Sequence, residues 1–189
     1  MPPRYAAVLF DLLTALVDSW TLWDGVAGEQ ATGRRWRAAY LRRTYGAGAY
    51  RPYETLVAAA AAEVGLPADC AARLAARFDT VVPWPEAGAV LAALKRPLGI
   101  VTNCSEGLAR RVVARLPVDF AVVVTAERAG FYKPHPRPYQ LALSELGLPA
   151  ARTLFVAGSA YDLIGTAALG VPTFWHDCNG SAALPFCHS

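Results

Sequence analysis

Asp11 follows directly on the apolar run Ala7 to Phe10. A carboxylate at the end of such a run is costly to place unless something uses it. Further along, one apolar run ends in Thr102-Asn103, the next is followed by Lys133, and another ends near Ser159 and Asp162. A carboxylate beside a lysine, an amide, hydroxyls and a second acid is the make-up of a nucleophilic site. The lysine would hold Asp11 ionised at neutral pH by opposite charge. Taken singly, each residue has an ordinary alternative. Asp11 and Asp162 could cap helices, Asn103 could turn the chain, and Lys133 could lie on the surface as most lysines do. The chain has only two lysines, Lys95 and Lys133, among many arginines, so a surface lysine is not its habit. Arrival of all these groups at successive run ends favours a site.

For these residues to meet, the runs before them must lie side by side. Short buried apolar runs suit the central strands of a parallel sheet, and open α/β sheets hold ligands at the strands' carboxyl ends. The chain reads as a strand over Tyr5 to Phe10, then helical stretches over roughly Leu22 to Tyr45, Tyr53 to Val64 and Ala68 to Asp79. Pro83-Trp84-Pro85 makes a stiff return, and Glu86 to Leu94 is a helix. Strands over Leu98 to Val101, Phe120 to Val124, Leu154 to Val156 and Val171 to Trp175 then alternate with helices over Glu106 to Leu116, Pro138 to Leu146 and Asp162 to Leu169. Thr125 to Pro138 reads as a long loop. Such alternation predicts a parallel, three-layer α/β domain. From Ser19 to about Pro83 there is no strand-like run, and residues 19–80 are expected to form a helical insertion after the first strand, with 1–18 and 81–189 as the core domain. The tail from Asn179 to Ser189 has no period and is expected to lie at the surface or to be partly disordered.

Bulk properties narrow the classes. A chain of 189 residues has room for one domain with a good core and a small insertion. Its 54% hydrophobic content excludes a disordered chain. A net charge of +3 is too small to argue for nucleic acid, and no apolar run is long enough to span a bilayer. The N-terminus MPPRYAAVLFD reaches an acid too soon for a signal peptide. Cys70, Cys104, Cys178 and Cys187 form no C-x-x-C pair and, with three histidines, no zinc pattern. The expectation is a cytoplasmic chain with reduced thiols and neither nucleic-acid nor membrane partners. Cys104 is the thiol nearest the candidate site.

With these residues in view, the chain resembles the haloacid dehalogenase superfamily, most of all its L-2-haloacid dehalogenase branch. FDLLTALVD resembles the first motif, with Asp11 in the nucleophile position. VTNCS resembles the second, with Thr102 as hydroxyl and Asn103 as amide. YKPHPRPYQ resembles the third, with Lys133 in the lysine position and Tyr139 in that of a dehalogenase tyrosine. FVAGSAYD resembles the fourth, with Asp162 as the acid. The resemblance implies a Rossmann-like parallel sheet with a helical cap inserted after the first strand. It also implies a small-molecule substrate and is compatible with a homodimer. It further implies a catalytic set of Asp11, Lys133 and Asp162, with Leu13, Thr14, Arg37, Thr102, Asn103, Tyr139 and Ser159 around the substrate. The cap arginine is placed at Arg37, although Arg34, Arg35, Arg37, Arg42 and Arg43 could equally form one solvated face. Trp20, Trp23, Trp36 and Tyr161 could wall a dry pocket, or simply be core.

The departures from the motifs carry chemistry of their own. Phosphatases of this superfamily carry a second Asp two residues after the nucleophile, which protonates the leaving alkoxide; here that residue is Leu13. They usually carry a further Asp four residues before the last acid; here that residue is Gly158. Magnesium wants several hard oxygen ligands, whereas halide leaves without a proton. The expected reaction is therefore displacement of halide from a short L-2-haloacid by Asp11. Hydrolysis of the resulting ester would then give a 2-hydroxy acid of inverted configuration, with no metal or other cofactor. A phosphatase, for which Mg²⁺ would be needed, a biosynthetic ester hydrolase and a non-catalytic protein remain as alternatives. Thr14-Ala15 stands where dehalogenases carry Gly-Thr, shifting the hydroxyl by one residue. Ala157 and Ser159 stand where they carry Ser and Asn, the Asn being associated with placing the hydrolytic water.

Overall fold

The apolar run before Asp11 forms strand β1 (Ala7–Phe10), buried at all four residues. The computed structural model describes residues 4–177. The expected surface tail, with Cys178 and Cys187, lies outside the described residues. After β1 come β2 (Val17–Asp18), α1 (Ser19–Ala27), α2 (Gln30–Ala47), α3 (Tyr53–Glu63) and α4 (Cys70–Ala76). They are followed by β3 (Val82–Pro83), α5 (Ala87–Ala93), β4 (Leu98–Thr102), α6 (Glu106–Val113), β5 (Val122–Thr125) and α7 (Ala126–Ala129). The chain then runs through α8 (Pro136–Leu146), β6 (Thr153–Ala157), α9 (Tyr161–Ala167) and β7 (Thr173–Trp175).

Five strands form one parallel sheet in the order β5-β4-β1-β6-β7. Phe10 lies opposite Ile100 on one side and Val156 on the other, which brings Asp11 to the same edge as the ends of β4 and β6. Side chains alternate across the sheet with the strand period of two. Val8 and Phe10 join Ile100, Leu91 of α5, and Leu108 and Val112 of α6 in one apolar layer. Leu9 joins Val101, Val124, Phe155, and Tyr139 and Ala142 of α8 in the other. Both faces are covered, which explains why β1 and β4 read as unbroken apolar runs. The first layer continues without a break into Trp23, Trp36, Tyr40, Tyr53, Leu74 and Phe78 of the helical segment.

Four local expectations are corrected. The single helix from Leu22 to Tyr45 is two helices, because Gly28 adopts φ +83° and closes α1. The stretch expected to hold no strand ends in β3, which pairs antiparallel with β2 through Val17 opposite Pro83 and Asp18 opposite Val82. Two residues are too few to leave a period in the sequence. The loop expected over Thr125 to Pro138 contains α7, whose N-terminus is capped by the Thr125 hydroxyl, and the first residues of α8. The helix expected as far as Leu116 ends at Val113. No helix among the described residues is long and apolar enough to cross a membrane.

Candidate active site

Asp11 leaves β1 into a tight turn whose own residues hold its carboxylate. Thr14 donates to Asp11 Oδ2 through its amide at 3.0 Å and its hydroxyl at 2.6 Å. Trp84 Nε1 donates to the Thr14 carbonyl at 2.9 Å and fixes the turn from outside. The one-residue shift of the hydroxyl noted in the sequence thus still delivers a donor to Asp11. Lys133 Nζ lies 2.9 Å from Asp11 Oδ1 and 2.8 Å from Asp162 Oδ1, and all three side chains are buried. Burial alone would raise the Asp11 carboxyl, but the Lys133 charge and the hydrogen bonds from Thr14 and Lys133 hold it below the usual carboxylate range. Burial also works against the Lys133 charge, yet two flanking carboxylates hold that ammonium above its ordinary value. Asp162 differs: burial pushes its carboxyl up, Lys133 offsets part of this, and the Asp11 charge adds to the rise.

Asn103 does not point its amide at open space. Its Oδ1 accepts from the Lys133 amide at 2.7 Å and its Nδ2 donates to the Lys133 carbonyl at 3.0 Å. The end of β4 therefore sets the backbone from which Lys133 reaches Asp11. Tyr139, at the start of α8, is fully buried behind Asp162 and donates to its Oδ1 at 2.8 Å. Thr102 is buried beside Cys104, with 3.7 Å between Oγ1 and Sγ. Burial pushes the Cys104 thiol up to about 12, so it stays protonated.

A cavity of about 240 Å³ opens above these groups. Asp11, Leu13, Thr14, Thr102, Asn103, Lys133, Ser159 and Asp162 line it from the sheet edge, and Trp20 and Arg37 from the helical segment. Tyr139 is not on its wall; Trp23 and Trp36 are core, whereas Trp20 and Tyr161 line it. Arg37 is 5% exposed, donates through Nη1 to Ser19 Oγ at 2.8 Å and stacks over the Trp20 ring at 4.0 Å. Ser19 in turn donates to the Leu13 carbonyl, tying Arg37 to the Asp11 turn. Arg37 forms no salt bridge among the described residues, and its Nε and Trp20 Nε1 are buried N–H donors without a protein partner. Burial lowers the pKa of that guanidinium, but arginine remains charged.

Ser19, Tyr40, Leu41 and Tyr45 were not singled out in the sequence. Tyr40, Leu41 and Tyr45 follow Arg37 at helical spacings of three, four and eight residues. That face of α2 was legible once Arg37 had been chosen. Tyr40 donates to the Asn103 carbonyl at 2.8 Å and so joins α2 to the end of β4.

The donor set does not fit a magnesium ion. Both oxygens of Asp11 already take donors. A Cβ at Gly158 would lie 2.2 Å from Thr14 Oγ1 and 2.4 Å from the Ala15 nitrogen, so no carboxylate side chain fits there unless the turn moves. Among the described residues no group of three or more His, Cys, Asp or Glu could hold a metal.

Residues 5–170 match the model of a family described as haloacid dehalogenase-like hydrolase. Haloacetate dehalogenase H-2 of Moraxella sp. (strain B) is 31% identical over 59% of this chain and 52% of its own length. Phosphoglycolate phosphatase of Yersinia pestis is 33% identical over 47% of this chain and 40% of its own. The chain thus spans about half the length of the curated relatives it matches. In three dimensions it resembles the L-2-haloacid dehalogenase RSc1362, with TM-score 0.85 and 25% identity over 98% of this chain and 92% of that one.

Proposed function

The chain belongs to the haloacid dehalogenase-like hydrolases, and on that footing we propose that it hydrolyses the carbon–halogen bond of short L-2-haloacids through an ester on Asp11. The observation that carries this reading is the make-up of one cavity. An ionised, donor-held carboxylate shares it with a buried guanidinium that forms no salt bridge among the described residues. Buried donors without acceptors call for an explanation, and an anion supplies one. Arg37, with the Trp20 indole beside it, receives the departing halide. The remaining space suits a chain of a few carbons.

In the first step an Asp11 oxygen attacks the carbon bearing the halogen from the side opposite the leaving group. The new C–O bond forms as the C–X bond breaks, its electron pair leaves with the halide, and the carbon inverts. In the second step water adds to the Asp11 acyl carbon and gives a proton to Asp162. As the bond from the acyl carbon to the ester oxygen breaks, Asp162 returns that proton to the leaving oxygen, which releases the 2-hydroxy acid, and the acid proton left on Asp11 passes to solvent, restoring the carboxylate. Lys133 keeps Asp11 ionised in the first step and stabilises the acyl oxygen in the second. Asn103 and Tyr139 act from behind, one on the Lys133 backbone and one on Asp162.

Likeness to phosphoglycolate phosphatases over about half of this chain favours phosphate-ester hydrolysis as the second reading. It lacks an acid at Leu13 and a ligand at Gly158. Halide release from L- and D-2-chloropropionate, with and without EDTA, tests the two. L-selective, EDTA-resistant release that disappears in Asp11→Asn is expected. Phosphate release from a phosphate ester only with added Mg²⁺, and no halide release, would replace the dehalogenase reading.

A further inference from the structure

An ester on Asp11 is useful only if a water is held beside it, and most polar groups on the cavity wall are already engaged. Lys133 is shared between two carboxylates, and Thr14 donates to Asp11. The Asn103 side chain is taken up by the Lys133 backbone, and the Tyr40 hydroxyl donates to the Asn103 carbonyl. Asp162 Oδ1 accepts from Tyr139 and pairs with Lys133, which leaves Oδ2 to accept a proton. Two hydroxyls on the wall have only a loose mutual contact. Tyr45 of α2 and Ser159 after β6 stand 3.3 Å apart, and among the described residues Ser159 Oγ otherwise takes only a 3.4 Å contact from the Tyr161 amide. A well-formed hydroxyl–hydroxyl bond is about 2.7–2.8 Å, so this pair gains by admitting a water that bridges it.

Their placement is constrained as well as loose. The Tyr45 ring stacks on Tyr161, next to Asp162 in the chain, with centroids 4.1 Å apart and planes at 24°. This fixes the phenol at the seam between the helical segment and the sheet edge. Burial and the Asp162 charge push the Tyr45 hydroxyl above the ordinary phenol value, so it stays neutral and acts as a hydrogen-bonding group, not a base.

We infer that Tyr45 and Ser159 together hold the hydrolytic water against Asp162, which makes Tyr45 a positioning residue for breakdown of the Asp11 ester. A bound water needs two to four polar partners, and Tyr45, Ser159 and Asp162 Oδ2 supply three. The water's attacking lone pair points at the Asp11 acyl carbon. One of its protons goes to Asp162 Oδ2, and its other hydrogen stays on the attacking oxygen, hydrogen-bonded to the hydroxyl pair. The inference rests on the Asp11-ester reading and adds to it a residue from outside the sheet, at a position where no motif places one.

The experiment is rapid-quench turnover of L-2-chloropropionate by the wild type, Tyr45→Phe and Ser159→Ala, read as halide against 2-hydroxy acid. Intact-protein and peptide mass spectrometry would follow the Asp11 adduct. Tyr45→Phe keeps the ring stack and loses only the hydroxyl. The expected result is an unchanged halide burst of one per site, followed by steady-state turnover slowed on the order of ten-fold or more, with the adduct accumulating. Ser159→Ala should behave alike, and Ser159→Asn in the Tyr45→Phe background should restore part of the hydrolysis rate. Equal loss of burst and steady state, a change in KM alone, or no change would overturn the inference and leave the dehalogenase reading standing. No halide from the wild type would overturn both.

Discussion

Lys133 sits between two carboxylates that hold unequal numbers of donors, and the inequality sets how each responds to pH. Asp11 takes three hydrogen bonds and has a depressed pKa. Its stabilising contribution is fully present above the unfolded value of about 3.9 and is lost as pH falls through the lower folded value. Asp162 has a raised pKa, so its contribution has the opposite sign. That contribution is present below about 3.9 and lost as pH rises through the folded value. At neutral pH, therefore, Asp11→Asn should lower Tm, while Asp162→Asn should leave it unchanged or raise it. Thermal melts at pH 7 and pH 4 check this, with the Asp11→Asn deficit shrinking towards acid. Equal losses in both variants would contradict it. If Asp162 accepts the proton from water, ester hydrolysis should also fail at a higher pH than halide release does, since Asp11 ionises first. The types of these residues were legible in the sequence. Their donors were not, because Thr14 reaches Asp11 only through the geometry of the turn.

At the scale of elements, the site depends on two close contacts between turns. The turn after β6 passes the Asp11 turn so tightly that Gly158 has no space for a Cβ. Gly158→Ala should displace Thr14 from Asp11 and reduce halide release by more than ten-fold, on the order of one to two hydrogen bonds to a charged group. Its stability should fall by about 1–3 kcal/mol, measured by urea unfolding. Full activity would mean that the two turns can separate at little cost. The end of β4 supports Lys133 through the Asn103 amide. Asn103→Ala should cost about 1–3 kcal/mol, because it leaves the buried Lys133 amide and carbonyl unpaired. It should lower the rate of halide release more than it raises KM. A change in KM alone would make Asn103 a substrate ligand and not a support for Lys133. The alternation of β4 to β7 with α6, α8 and α9 was legible because apolar runs and the turn residues between them mark these elements, whereas the four-residue α7 is too short to leave a period. The β2–β3 ribbon was not, since antiparallel pairing across more than sixty residues leaves no local pattern in two-residue strands.

At the scale of the molecule, one apolar layer runs from the sheet through α5 and α6 into the helical segment. Trp36 is fully buried in it, edge-on to Trp23 at 4.6 Å, and donates to the Val57 carbonyl at 3.0 Å. Trp36→Ala should cost about 3–5 kcal/mol. Because the layer is continuous, far-UV circular dichroism and tryptophan fluorescence should report one coincident unfolding transition in the wild type. Separate transitions would mean that the helical segment melts on its own. The same continuity sets Arg37, Tyr40 and Tyr45 on the cavity wall.

The sequence by itself determined the alternating α/β order, the helical character of residues 19–80, and the residue types that meet at the sheet edge. All of these follow from local period, punctuation and the carboxyl-edge rule of parallel sheets. Only the tertiary structure decided which face each group turns to the cavity. It placed Tyr139 behind Asp162 and Asn103 on the Lys133 backbone, packed Gly158 against Thr14, and left Arg37 Nε buried with no hydrogen-bond partner among the described residues. The reason is physical: a residue's type is fixed by its codon, but its hydrogen-bond partners are chosen by whatever distant segment arrives beside it when the apolar layers close.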